Sequence, residues 1–114
     1  MERKLEYSFD DEPVSIFCYE LECKKIVVHF KGYFDILKDK YMETPCVWTM
    51  ENWNEAKCKI GDDAKLYDID KSIGIFSLIL YMKYYEEELE MLVNTLDNRY
   101  ITLFFKDPKL KLII

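Results

Sequence analysis

Glycine and proline are scarce in this chain, three of each in 114 residues, and no segment is low in complexity or repeats at a period of 20 to 50 residues. That excludes linkers, solenoids and propellers, and residues 1–114 read as one domain. Histidine is scarcer still. His29 is the single one, flanked by Val28 and Phe30, where an imidazole is a sheet-face residue before it is a general base. A dyad with Cys18 on a neighbouring strand is conceivable in geometry, but no orienting third residue or oxyanion loop accompanies it. No long apolar run is present either. The longest, Ile73 to Met82, is broken by Gly74 and Ser77, and the start Met1-Glu2-Arg3-Lys4-Leu5-Glu6 has no apolar core of an export signal. The expectation is a cytoplasmic protein outside the membrane.

Metal and nucleotide signatures are missing as well. The four cysteines, Cys18, Cys23, Cys46 and Cys58, fall at spacings of 5, 23 and 12. These fit neither the close pairs of a zinc site nor a disulfide-dense scaffold, so they read as reduced thiols. Asp62, Asp63, Asp68 and Asp70 lack the ordered twelve-residue calcium loop. No glycine-rich phosphate loop occurs. The sequence therefore implies no enzyme, no metal and no cofactor.

Half the residues are apolar and 16% aromatic, enough for one packed core without staples. Asp and Glu outnumber Lys and Arg by 22 to 16, a net charge of −6. This sign opposes binding to nucleic acid or to an anionic membrane surface and suits a basic partner.

The regular structure expected is mainly β, built from antiparallel hairpins in a small sheet, sandwich or half-barrel with at most one or two short helices. Residues 14–21 and 25–31 are rich in β-branched and aromatic types across a short polar break. Within the second run Ile26, Val28 and Phe30 alternate with Val27, His29 and Lys31, so one face is apolar. A second hairpin joins residues 89–95 to 99–106 through Asp97-Asn98, and Leu110 to Ile114 follow Pro108 as a last strand at a sheet edge. Residues 34–44 read as a short helix or irregular loop. Cys46 to Ile60 read as two short strands around a turn at 52–54. Ile73 to Tyr85 fits both a buried strand and a helical face. The strand makes residues 75–105 a three-stranded meander turning at Glu86-Glu87-Glu88; the helix, over about 73–88, makes the fold α+β.

What chemistry remains lies in the charge distribution. Glu86, Glu87, Glu88 and Glu90, with Asp97 beyond, occupy a stretch (84–98) holding no lysine or arginine. Asp10-Asp11-Glu12 is a second acidic concentration, and Asp62, Asp63, Asp68 and Asp70 a third. Solvated turns alone produce such runs, but three together point to an acidic binding face. Tyr85 beside the Glu run, and Trp53, are the candidate aromatic anchors. The partner-binding set is thus Tyr85, Glu86, Glu87, Glu88, Glu90, Asp62, Asp63, Asp10, Asp11 and Trp53. A small strand barrel enclosing an apolar ligand and a non-enzymatic structural protein are the rival readings.

In its format the chain resembles the small single-domain immunity proteins that accompany bacterial polymorphic and contact-dependent growth-inhibition toxins. The resemblance rests on the acidic chain itself, the Val14 to Lys31 hairpin, the Glu51-Asn52-Trp53-Asn54-Glu55-Ala56 segment and the late hairpin Leu89 to Phe105. It implies a stoichiometric inhibitor, a monomer or weak dimer, that covers a cognate toxin domain. Where that toxin is a basic nuclease, the inhibitor partly mimics the nucleic acid it displaces.

Overall fold

The computed structural model describes the backbone of residues 2–3 and the whole of residues 5–20, 22–62, 65–69 and 74–114. Every regular element among them is a strand. In chain order these are β1 (Glu2–Arg3), β2 (Tyr7–Ser8), β3 (Glu12–Glu20), β4 (Lys25–Phe30), β5 (Tyr33–Asp35), β6 (Lys40–Met42) and β7 (Cys46–Glu51). They are followed by β8 (Glu55–Ile60), β9 (Tyr67–Asp68), β10 (Phe76–Tyr85), β11 (Glu88–Thr95), β12 (Tyr100–Lys106) and β13 (Lys109–Ile113).

All pairings are antiparallel. One ten-stranded sheet runs β13-β7-β4-β3-β10-β11-β12-β8-β9, with β1 against β10, and β2-β5-β6 form a separate three-stranded sheet. The large sheet narrows where β3 meets β10, at Leu78↔Pro13 and Ile79↔Glu12, and folds over at that junction. Ile26, Val28, Phe30, Trp48 and Met50 from one half then share a single core with Leu89, Met91, Val93, Ile101, Leu103 and Phe105 from the other. The smallest dimension, 28 Å, exceeds the roughly 10 Å of a single layer. Both ends of the strand order stay open, so the sheet does not close into a barrel.

The alternation of Ile26, Val28 and Phe30 with Val27 and His29 appears as alternate burial along β4, and both expected hairpins form, β3 with β4 and β11 with β12. Ile73 lies outside the described residues, Gly74 and Ile75 precede the strand, and Phe76 to Tyr85 of that ambiguous stretch are strand β10. Strands β10, β11 and β12 make the three-stranded meander. Residues 34–44 depart from expectation. No helix forms there; β5 and β6 close a hairpin over Ile36 to Asp39, where Asp35 accepts the Lys38 N–H and Asp39 turns with φ 51°. At Gly32 a Cβ would lie 2.7 Å from the Met42 carbonyl oxygen, so only glycine lets the backbone approach this hairpin.

The small sheet is fastened to the large one by aromatic contacts. Phe9, fully buried, stacks on Phe30 with centroids 4.1 Å apart, and the Trp48 Nε1–H donates to Tyr7 Oη at 3.2 Å. Tyr41 Oη also donates to Glu12 Oε1 at 2.8 Å. That bond to a carboxylate pushes the Tyr41 phenol up to about 12. Burial, followed by the hydrogen bond it donates to Glu90, takes Tyr81 to about 12. Burial, followed by the charge of Glu12, takes the Cys46 thiol to about 11. In each case the folded chain holds its proton longer than the unfolded chain, whose ordinary values are 9.0 for Cys and 10.0 for Tyr. Stability from these groups is full below the lower values and is lost as pH rises through the folded ones. The urea midpoint should therefore fall between pH 9 and 12, and the Tyr41→Phe/Tyr81→Phe variant should flatten that fall. A wild-type midpoint constant across this window would contradict it.

Candidate partner-binding surface

The turn between β10 and β11 is as short as a hairpin allows. Tyr85 pairs with Glu88, leaving only Glu86 and Glu87 to reverse the chain, and Glu86 takes a left-handed φ of 55°. Two-residue hairpin loops favour positive φ, and glycine or asparagine normally supplies it. A glutamate here keeps a carboxylate at the tip at some backbone cost. Tyr85, 58% exposed, stands at the foot of the turn.

Strand register decides what surrounds this tip. The outward row through it runs Tyr85, Glu88, Lys106, Glu55, and the next runs Lys83, Glu90, Phe104, Lys57, Asp68. The stretch 84–98 has no basic residue along the chain, but across the strands Lys106 faces Glu88 and Lys83 faces Glu90. Charges opposite one another in this way attract. Glu90 also accepts the Tyr81 Oη–H at 2.6 Å and is half-buried. Glu90 is therefore embedded in the sheet surface, while Glu86, Glu87 and Glu88 are exposed.

Two chain crossings lie beside the tip and bring in acids that sequence proximity does not reveal. Asn52 to Asn54 carries the chain from β7 to β8, and Asp107 with Pro108 carries it back from β12 to β13. The crossings are tied together by Asn54 N–H to the Lys106 carbonyl at 2.8 Å and by Asn54 Nδ2 to Asp107 Oδ2 at 3.4 Å. The Asp107 N–H in turn donates to the Glu87 carbonyl at 2.6 Å. Glu55 and Asp107 thereby join Glu86, Glu87 and Glu88 at one end of the molecule, with Lys106 between them.

The other expected positions divide. Trp53 is not an exposed anchor: it is 4% exposed, with its ring 4.9 Å from that of Phe105, and it plugs the core where the chain crosses between halves. Asp10 and Asp11 are exposed and lie along β10, the Asp11 N–H donating to the Ile79 carbonyl. Partial desolvation by the neighbouring chain raises the Asp10 carboxyl above its ordinary value, against a weaker opposing hydrogen bond from Ser8. Asp11 is bonded at Ile79, seven residues along the chain from Glu86, roughly 23 Å at strand rise per residue. Asp62 is at the far end of β12, beside the bond from Gly61 N–H to the Tyr100 carbonyl. That is roughly 20 Å from the tip by strand length. Asp63 and Asp70 lie outside the described residues. Asp68 is paired with Lys57 at 2.5 Å, and Asp97 with Arg99 at 2.7 Å. A hydrogen bond from the Thr95 hydroxyl, joined by Arg99, holds the Asp97 carboxyl below its ordinary value. The acidic residues therefore form separate groups, and folding enlarges the one at Glu86 to Glu88 with Glu55 and Asp107.

His29 stands opposite Ile16, and Cys18 opposite Val27. His29 and Cys18 are thus diagonal neighbours on one face, with backbones about 7–8 Å apart. Cys18 and Cys23 are exposed free thiols, and Cys46 and Cys58 are buried ones. Among the described residues no group of three or more His, Cys, Asp or Glu side chains could hold a metal ion, and no helix is long and apolar enough to cross a membrane. Comparison of the chain with protein-family models, with curated proteins and with solved structures finds no match in any of the three.

Proposed function

We propose that the chain is an immunity-type inhibitor, a cytoplasmic protein that neutralises a basic toxin domain by stoichiometric binding and performs no catalysis itself. The observation that carries this reading is the acidic end at Glu86, Glu87 and Glu88, extended by Glu55 and Asp107 and bearing the exposed Tyr85 at its foot. Excess negative charge, −6 over the chain, steers a cationic partner and raises its association rate. A rigid tyrosine desolvated at the centre of the contact slows dissociation. Both properties serve an inhibitor that must reach its target before the target acts. The rival reading of a barrel around an apolar ligand loses support because the sheet is open at both ends.

Co-expression with the product of the adjacent upstream gene tests the proposal. Co-elution as a one-to-one complex, with loss of that product's toxicity, is the expected result. A toxic neighbour that neither co-elutes with the chain nor is neutralised by it would overturn the reading.

A further inference from the structure

Next to the acidic tip the outward face of the sheet is hollowed into an open groove of about 340 Å³, lined by Glu55, Lys57, Leu66, Glu88, Phe104 and Lys106. Its floor is the half-buried ring of Phe104 on β12, and Leu66, 52% exposed, forms a wall. The register fixes the charges around that ring. Glu88 on β11 and Glu55 on β8 lie on either side of Lys106, one row from Phe104. Lys57, directly opposite Phe104, is engaged by Asp68 at 2.5 Å, and this pairing raises the Lys57 ammonium. Lys57 and Asp68 therefore cancel. Two carboxylates, Glu88 and Glu55, then flank the one remaining ammonium, that of Lys106, beside an aromatic floor.

We propose that this groove receives an arginine side chain of the protein partner, a statement that rests on the inhibitor reading and names the group recognised. A guanidinium is planar and weakly hydrated, so it can lie flat on the Phe104 ring while its forked N–H groups reach carboxylates at the rim. The aliphatic stem of the arginine would lie along Leu66. A lysine ammonium meets the same charges but is strongly hydrated, cannot stack and cannot bond in the bidentate manner. Lys106 would swing aside toward solvent, where its exposed side chain already lies. An anionic ligand would have to sit beside Glu55 and Glu88 to gain that one ammonium. The groove is therefore a cation site with an aromatic floor, distinct in chemistry from the solvated tip at Glu86 and Glu87.

The intact chain can be titrated with Nα-acetyl-arginine methylamide, and separately with the lysine analogue, while amide chemical shifts are followed by NMR. Saturable shifts confined to Lys57, Leu66 and Phe104 with their neighbours are expected, with the arginine analogue bound about five-fold more tightly than the lysine one. Phe104→Leu keeps an apolar floor without the π face and should reduce that ratio; Glu88→Gln should weaken both analogues, arginine more than lysine because it loses a bidentate partner. Shifts centred on Glu86 and Glu87 alone, equal binding of the two analogues, or an unchanged ratio in Phe104→Leu would each overturn the proposal. A toxin complex that forms while the groove ignores arginine refutes the groove and spares the inhibitor. Arginine in the groove with no toxin complex refutes the inhibitor alone.

Discussion

Trp48→Ala should destabilise the protein by about 3–5 kcal/mol, the range for truncating a large buried aromatic. The reason is placement as much as size. Trp48 is fully buried in the middle of β7, between Val28 on β4 and Leu112 on β13. It touches the second sheet through Phe9, with centroids 5.9 Å apart, and donates its Nε1–H to Tyr7. Removing the indole opens a cavity at the junction of both sheets, and the surrounding strands cannot collapse into it without losing their ladders. A domain of this length commonly has only about 5–15 kcal/mol in total, so a large share of the margin would go. Trp48→Phe separates the two contributions. It keeps most of the apolar volume and removes the donor, leaving the Tyr7 hydroxyl with one partner fewer, at about 1 kcal/mol. Urea unfolding followed by circular dichroism gives both values, free of the complication that Trp53 also fluoresces. A loss under about 1 kcal/mol in Trp48→Ala would contradict the shared core described for the two halves.

Much of this architecture could be read from the residues because alternation is a local signal. Ile26, Val28 and Phe30 announce an inward face, and Asp97-Asn98 announce a turn, with no knowledge of the partner strand. The stretch at β10 resisted for a physical reason. Its register with β11 shifts between Phe76 and Leu78 and again between Ile79 and Tyr81. Each irregularity inserts a residue and resets the alternation. The buried positions become Phe76, Ile79 and Tyr84, and the first two stand three apart, a helical spacing made by bulges in a strand. The hairpin at 33–42 was hidden differently. Its strands are three residues each, and its stability comes from Phe9, Tyr41 and the close approach at Gly32, which are tertiary terms.

The binding surface was legible only in one dimension. Glu86, Glu87 and Glu88 are adjacent in sequence and remain together, and Tyr85 beside them is exposed as its position suggests. Trp53 reads like an anchor because it is flanked by Asn52, Asn54 and Glu55; its burial follows from a chain crossing that composition does not encode. Glu55, Asp107 and Phe104 enter the site through the β11-β12-β8 register alone. An alternating outward set on β12, with Phe104 two residues before Lys106, is the one sequence signal that could have indicated them.

Reversing the tip tests the electrostatic half of the proposed function with the largest expected kinetic effect. In Glu86→Lys/Glu87→Lys/Glu88→Lys each change adds two units of charge, so the net charge goes from −6 to zero. Association with a basic partner at low salt should slow by about 10–100-fold, within the range by which steering raises association rates. The difference should shrink as salt is raised, because the screening length falls from roughly 10 Å at 0.1 M to about 3 Å at 1 M. Two features of the fold govern how the variant must be built. Lysine at position 88 would face Lys106 across the strands, and like charges directly opposite one another destabilise the sheet. A protein of zero net charge also tends to self-associate. The double variant Glu86→Lys/Glu87→Lys avoids both problems, leaving Glu88 in place and a net charge of −2. It introduces no new backbone effect at the left-handed position 86, since lysine and glutamate bear the same Cβ penalty there. Stopped-flow association of this double variant at two ionic strengths should show slowing at low salt and near-equality at high salt, with the dissociation rate almost unchanged. Tyr85→Ala should behave in the opposite sense, leaving association intact and hastening dissociation. An association rate for the double variant equal to wild type at low salt would place the interface elsewhere on the molecule.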